Sequence, residues 1–403
     1  MSVQTPAGGF DLGTGAGLTL AETVTAAETV LSGRFGATVQ LADPQDLGGG
    51  PHSSVLRVRV AASPFSLPRT LVVKRHTGLG GASADRFARE AVSYQLFNAL
   101  AEEDRMCPEL VAHDGRARVL VLEDLGDEPT LADKLLGEDS RAAEQALVSF
   151  ARSLGRLHAT TASREADFDA LMRRFNARPP VDSLTVDCLT AVEGVPALLA
   201  AALGVPTAEG LGGAITRACR LLHRGRHRAF STAALCPDNN LITGKGVRFV
   251  DFKGGCVREV LLDAAYLRVP FPSCWCTFAL PAGMSEAMVA AWRAEVAKVW
   301  PELADDAVLM PRLLDAQLLW VWLSTWRLLP RQHEKDRVTD TGQPAPRRSE
   351  LLLGRWQRLA AEAELLHEDM VAEHAAAVAD GLLARFGREL EPRPYPAFSG
   401  SVG

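Results

Sequence analysis

FSTAALCPDNNLITGKGVRFVDFKGG, residues 230–255, holds two short apolar runs, Leu241-Ile242 and Val247-Arg248-Phe249-Val250, separated by Gly244-Lys245-Gly246. That pattern predicts a β-hairpin with a glycine-rich turn. Asn239 enters the hairpin and Asp251 leaves it. A tight hairpin returns the chain to where it started, so an amide oxygen and a carboxylate can face the same point. Two hard oxygen ligands converging there suit Mg²⁺, which binds through few protein groups and completes its shell with phosphate and water. Asn239 and Asp251 are therefore the candidate metal ligands, the metal half of a phosphoryl-transfer site.

The stretch resembles the protein-kinase and aminoglycoside-phosphotransferase superfamily, whose catalytic loop, H-G/R-D-x-x-x-x-N, is followed by a second Asp on the metal. Leu235, Pro237 and Asn239 fall in register with that loop, and Asp251 with the metal-binding Asp. Two positions depart from it: Ala234 stands where the family has its catalytic Asp, and Thr232 where it has His. The resemblance implies an α+β, two-lobed protein-kinase-like fold with a small antiparallel-sheet N-lobe and a mainly helical C-lobe. It implies ATP and Mg²⁺ as cofactors and transfer of the γ-phosphate to a hydroxyl of a small molecule or a peptide Ser/Thr. With Ala234 in the loop, two readings stand: an atypical phosphotransferase in which Asp238, the acceptor or a partner positions the hydroxyl, or a pseudokinase that serves as a ligand- or partner-binding scaffold.

The preceding sequence supplies the other expected parts. Ala21–Leu31 carries a helical pattern with Gly33 at its expected C-cap, and strands are expected over Ala37–Leu41, Val55–Val60 and Thr70–Lys74. Between the first two strands lies Leu47-Gly48-Gly49-Gly50-Pro51-His52-Ser53-Ser54, whose glycines would let backbone N–H groups approach a phosphate. Lys74 ends an apolar strand, where a partly buried ammonium needs an anionic partner, and Glu90, early in the helical pattern Arg89–Phe97, can supply one. The pair resembles the family's strand lysine, which holds the α- and β-phosphates, and its helix carboxylate. Gly48, Gly49, Gly50, Ser53, Lys74 and Glu90 are thus candidate nucleotide-binding residues.

A second hairpin, Leu110–Ala112 and Arg118–Leu122, ends in Glu123-Asp124-Leu125-Gly126. This segment resembles the hinge between the family's lobes, and Glu123 and Leu125 are the positions implied to meet an adenine edge. Leu154-Gly155-Arg156-Leu157-His158-Ala159 resembles a family signature in which His158 is a packed structural residue. Asp263, in Leu261–Leu267, resembles the Asp that braces the catalytic loop. The resemblance covers roughly residues 45–270.

Helices are expected over Leu131–Leu136, Ala142–His158, Glu286–Val299 and Ala307–Leu329, then one long helix from about Glu350 to Arg385. Trp320, Trp322 and Trp326 read as core at helical spacing, with an aromatic cage for a cation as the other reading. Glu362, Glu364, Glu368, Asp369 and Glu373 read as a solvated acidic face, which leaves a third reading open, a binding-only protein using that face. The expected organisation is a disordered tail over 1–20, an N-lobe over 21–125, a helical C-lobe over 126–390 and a flexible tail over 391–403.

With 403 residues, 43.2 kDa and 47% hydrophobic residues, the chain can bury a large core. A net charge of −6 and no basic stripe exclude nucleic acid as an expected partner. The N-terminus lacks the pattern of a signal peptide, and nowhere do eighteen apolar residues run without a charge, so no membrane partner is expected. Seven scattered cysteines predict no disulfide framework and a reducing, cytoplasmic setting; Cys274-Trp275-Cys276 reads as apolar packing. Abundant Arg and Ala suggest a bacterial chain.

Overall fold

The computed structural model describes residues 20–49, 52–78, 80–175, 182–223, 225–272, 274, 276–331, 334–336 and 345–400. The chain divides into two compact units, Met1–Phe87 with Leu110–Asp124, and Ala88–Glu109 with Leu125–Gly403.

The first unit is built on α1 (Leu20–Phe35), β1 (Gln40–Asp46), β2 (Ser53–Ala62) and β3 (Thr70–His76), then the opening turns of α2 (Gly81–Asn98), then β4 (Leu110–Asp114) and β5 (Val119–Glu123). The strands form one antiparallel sheet in the order β1-β2-β3-β5-β4. Alternation along the strands sends Leu56, Val58, Leu71 and Val73 into a core shared with Ala27 and Leu31 of α1. The opposite face of the same strands carries Val55, Arg57, Val72 and Lys74. Boundaries differ from the sequence reading: β2 is longer at both ends, and β3 runs two residues past Lys74 to His76. Helix α1 runs past Gly33, and Gly36, at φ +71°, closes it with its N–H 2.9 Å from Ser32 O. Strand β1 runs to Asp46 through Asp43-Pro44, because it lies at the sheet edge, where a bulge and a missing N–H are tolerated.

The second unit is mainly helical: α3 (Leu131–Leu136), α4 (Ser140–Thr161), α5 (Glu165–Arg174), α6 (Ser183–Leu203), α7 (Leu211–His223), α8 (Val260–Ala264), α9 (Met284–Val296), α10 (Asp306–Leu328), α11 (Arg348–Leu365) and α12 (Asp369–Phe386). Two short antiparallel pairs interrupt it, β6 (Arg228–Ser231) with β9 (Cys256–Glu259), and β7 (Asn240–Thr243) with β8 (Gly246–Phe249). Helix α10 is the centre of the unit. It packs against α6, α7 and α11, and Leu309, Leu313, Leu319, Val321 and Trp322 are buried in it. Trp320 donates to Leu262 O at 2.7 Å and stacks edge-on against Tyr266, so two of the three tryptophans are core, as their spacing predicts. Helices α4 and α9 approach closely at Gly155, where a Cβ would lie 2.6 Å from Trp292 O. The expected α+β class is met: a small antiparallel sheet, then a mostly helical remainder.

Three expectations are corrected here. The long C-terminal helix is two helices, α11 and α12, because His367 takes φ 56° and the Glu368 N–H turns back to Ala363 O at 2.9 Å. The chain end is not a loose tail over its described part: Tyr395 is fully buried, packs on Phe278, and Pro394 bridges to Ala279. Cysteine pairing is present, since Cys236 and Cys274 form a disulfide that sequence spacing gave no sign of. Among the described residues one helix, α6, is long and apolar enough to cross a membrane by length and composition.

Candidate phosphoryl-transfer site

The predicted hairpin is β7–β8, in the register Asn240↔Phe249 to Thr243↔Gly246, so the tight turn is Gly244-Lys245 with Gly246 beginning the return strand. The Val250 N–H donates to Asn239 O at 3.0 Å and closes the open end, which brings the backbone leading into Asp251 beside Asn239. Within the loop, Asn239 Nδ2 donates to Ala234 O at 3.3 Å. With the amide nitrogen committed there, Oδ1 is the end of Asn239 left to accept a cation. Asp251 sits at φ 68°, a backbone region that non-glycine residues enter at a cost of about 1–3 kcal/mol, and one that clusters at working sites. A carboxylate and an amide oxygen at the mouth of one hairpin fit the donor chemistry of Mg²⁺. Asp238, in the same short helical turn as Asn239, is exposed.

The loop before the hairpin is held from beneath. Ala233 N–H donates to Ser231 Oγ at 3.0 Å and Ala234 N–H to Thr232 Oγ1 at 3.2 Å. Thr232, at the family's His position, is buried and acts as a turn acceptor. Asp263, fully buried, accepts from His158 Nε2 at 3.2 Å and from the Arg258 guanidinium, and it also bonds Ser231. His158 Nδ1 accepts from Trp292 Nε1 at 3.0 Å, so its proton is on Nε2, facing Asp263. Burial pushes the Asp263 carboxyl up, but Arg258, then His158 and Ser231, outweigh it and bring the group down to about 2. His158 is packed in the interior, and Asp263 reaches the loop before the hairpin through Ser231. Arg258 was missed, since nothing in Cys256-Val257-Arg258-Glu259 marks an arginine as buried.

Glu90 is fully buried on α2 and accepts the Phe252 N–H at 3.3 Å. Phe252 is packed by Tyr94, Phe97 and Phe230, with ring centroids at 4.8, 5.7 and 5.5 Å. The Tyr94 phenol is raised well above its ordinary value by burial first, then by the charges of Glu90, Cys107 and Asp251. The segment carrying Asp251 is thereby anchored to α2 at the residue just after it. Lys253, which the sequence reading passed over, places its Nζ 2.8 Å from Asp251 Oδ2.

In the first unit, Lys74 is the middle strand's buried lysine, 7% exposed and opposite Val55 and Leu120. On the same face, Arg57 pairs with Asp124 at 2.8 Å, just beyond Glu123, the last residue of β5. Gly48 and Gly49 lie in the β1–β2 connection, and a Cβ on Gly49 would sit 2.2 Å from Ser53 O, so this close turn needs glycine. Ser53 opens β2 opposite His76. Gly50 lies outside the described residues. Leu125 is the first residue of the second unit after β5.

No family model matches the chain, and no curated protein does. Solved structures similar to it include a choline/ethanolamine kinase family protein from Mesorhizobium loti, at 17% identity over 86% of this chain and 93% of that one, TM-score 0.42. An aminoglycoside 2′-phosphotransferase-IIIa in its GDP complex is similar at 14% identity over 91% and 99%, TM-score 0.45. A streptomycin–ATP–APH(2″)-IIa ternary complex is similar at 14% identity over 80% and 92%, TM-score 0.41.

Proposed function

We propose that the chain is a kinase-like phosphotransferase that binds a Mg²⁺-nucleotide, ATP, and passes its γ-phosphate to a hydroxyl of a small molecule. The observation that carries this reading is the β7–β8 hairpin mouth, where the Val250 N–H closes on Asn239 O and a strained Asp251 follows directly. Asp251 and Asn239 are the metal ligands. The Mg²⁺ they hold would supply positive charge to the β- and γ-phosphate oxygens. Lys74 is the cation for the α- and β-phosphates, and Glu90 holds the segment of Asp251 by its bond to Phe252 N–H. Backbone groups at Gly48, Gly49 and Ser53 are assigned to the phosphates, and those at Glu123 and Leu125 to the adenine edge.

Ala234 cannot accept the acceptor's proton, a role typically contributing on the order of 10²- to 10⁴-fold. In a loose transition state little proton transfer is needed before the phosphoryl group departs, so positioning and charge carry most of the rate. Asp238, exposed on the same loop, is the chain's own carboxylate for orienting the hydroxyl. A peptide Ser/Thr acceptor and a cytoplasmic, bacterial setting belong to the same proposal.

A second reading, a pseudokinase that binds ligands or partners without transfer, is favoured by Ala234 together with the Lys253 ammonium on the Asp251 carboxylate. Incubation with γ-labelled ATP, Mg²⁺ and a panel of small alcohols and amino-sugars separates the two. Label transfer that is lost in Asp251→Ala supports the enzyme. ATP binding with no transfer to any acceptor and no hydrolysis supports the scaffold.

A further inference from the structure

The second unit contains a cavity of about 200 Å³ walled by α11, the segment after α8 and the described chain end. Four arginines line it, Arg268, Arg355, Arg358 and Arg393, and one carboxylate, Glu350. Their partners account for nearly all of the charge. Arg268 and Arg358 share Glu286 and Glu362, at 2.6–3.2 Å, two cations with two carboxylates. Arg393 pairs with Glu350 at 2.7 Å, and the exposed Arg347 reaches the same carboxylate from outside the cavity at 3.8 Å. Arg355 is left over: it is 5% exposed, its Nη1 has no partner, and no hydrogen bond or ion pair joins it to any described residue.

Buried charges in proteins are paired, because desolvation without a counter-ion is costly. Burial accordingly lowers the Arg355 guanidinium to about 10, with only the Tyr395 and Tyr266 phenols nearby to oppose it. Ser285, which also lines the cavity, is fully buried, and its Oγ has no partner among the described residues. Arg355 and Ser285 line the same space, and Phe278, Leu280, Leu351 and Pro392 are among its apolar walls.

We infer that this cavity binds a small organic carboxylate, its oxygens held by Arg355 and Ser285 and its apolar body against Phe278 and Leu351. One unpaired charge calls for a monoanion, and a carboxylate matches the guanidinium fork in two parallel hydrogen bonds. A space of about 200 Å³ suits a compact acid. The wall from Thr277 onward follows Cys274, which is bonded to Cys236 of the loop carrying Asp238 and Asn239.

The test is thermal unfolding of the full chain in acetate, in benzoate and in inorganic phosphate at matched ionic strength. A saturable rise of several degrees in benzoate that exceeds that in acetate and in phosphate is expected. The rise should be absent in Arg355→Met, weakened in Arg355→Lys, and unchanged in Asp251→Ala, which separates this cavity from the nucleotide site. In buffer free of these anions, Arg355→Met should unfold no lower than the parent, since it removes an unpaired buried charge. No rise in benzoate, a rise only in phosphate, or an equal rise in Arg355→Met overturns the inference.

Discussion

The Lys253 ammonium lies 2.8 Å from the Asp251 carboxylate, two residues away, where the proposed metal would sit. The pair is open to water, with the lysine side chain 51% exposed, so it contributes at most about 1 kcal/mol to stability. Its effect is on ligand binding: metal and ammonium compete for one carboxylate. Lys253→Met should leave the unfolding temperature within about a degree and tighten Mg²⁺-ATP binding several-fold at limiting Mg²⁺. Calorimetry at two Mg²⁺ concentrations checks this, and weaker binding would show that Lys253 contacts the nucleotide instead.

Ala234 is only partly buried, and its carbonyl rather than its side chain holds Asn239. Ala234→Asp should raise transfer, or ATP hydrolysis in the absence of an acceptor, on the order of 10²-fold by restoring a proton acceptor. A rate that does not move would mean the base is not what limits turnover.

Asp263 joins His158, Arg258 and the loop through Ser231 in one buried cluster. Its carboxyl is depressed from an ordinary 3.8 to about 2. The stability it contributes is therefore full above about pH 4 and is lost as pH falls toward 2. Asp263→Asn leaves Arg258 without its nearest carboxylate and should cost about 3–5 kcal/mol at neutral pH. The gap between mutant and parent in urea midpoints should close between pH 4 and pH 2; a gap independent of pH would remove Asp263 from that role.

Much of this was legible because it rests on patterns the chain carries locally. The hairpin at 240–249, the strand carrying Lys74 and the helix with Glu90 follow from apolar runs and turn glycines. Gly155 in Leu154–Ala159 was legible as a motif, though its reason, the approach of Trp292 O, needed the packed helices. What sequence withheld was long-range or fell between patterns. Cys236 and Cys274 meet across 38 residues, the α11–α12 break turns on a positive φ at His367 with no glycine to mark it, and Arg355 is defined by the partners it lacks.

Gly155→Ala forces a Cβ against the Trp292 carbonyl and should destabilise the chain by about 1–3 kcal/mol. Urea unfolding measures it, and a neutral result would mean that α4 and α9 separate at little cost.

The Cys236–Cys274 bond fixes the loop that ends in Asp238 and Asn239. Its reduction should cost about 4 kcal/mol for a ring of this length, with weaker Mg²⁺-ATP binding as the loop loosens. Unfolding and calorimetry with and without a phosphine reductant, against Cys236→Ser, check both effects; identical behaviour in reductant would mean that the bond does not restrain the loop.

The most direct test of the account is calorimetric titration of ATP into the protein with and without Mg²⁺, repeated with Asp251→Ala. Binding that requires Mg²⁺ and disappears in Asp251→Ala is the predicted result. No binding, or binding of equal strength in the variant, would contradict the assignment of the hairpin mouth as a metal-nucleotide site.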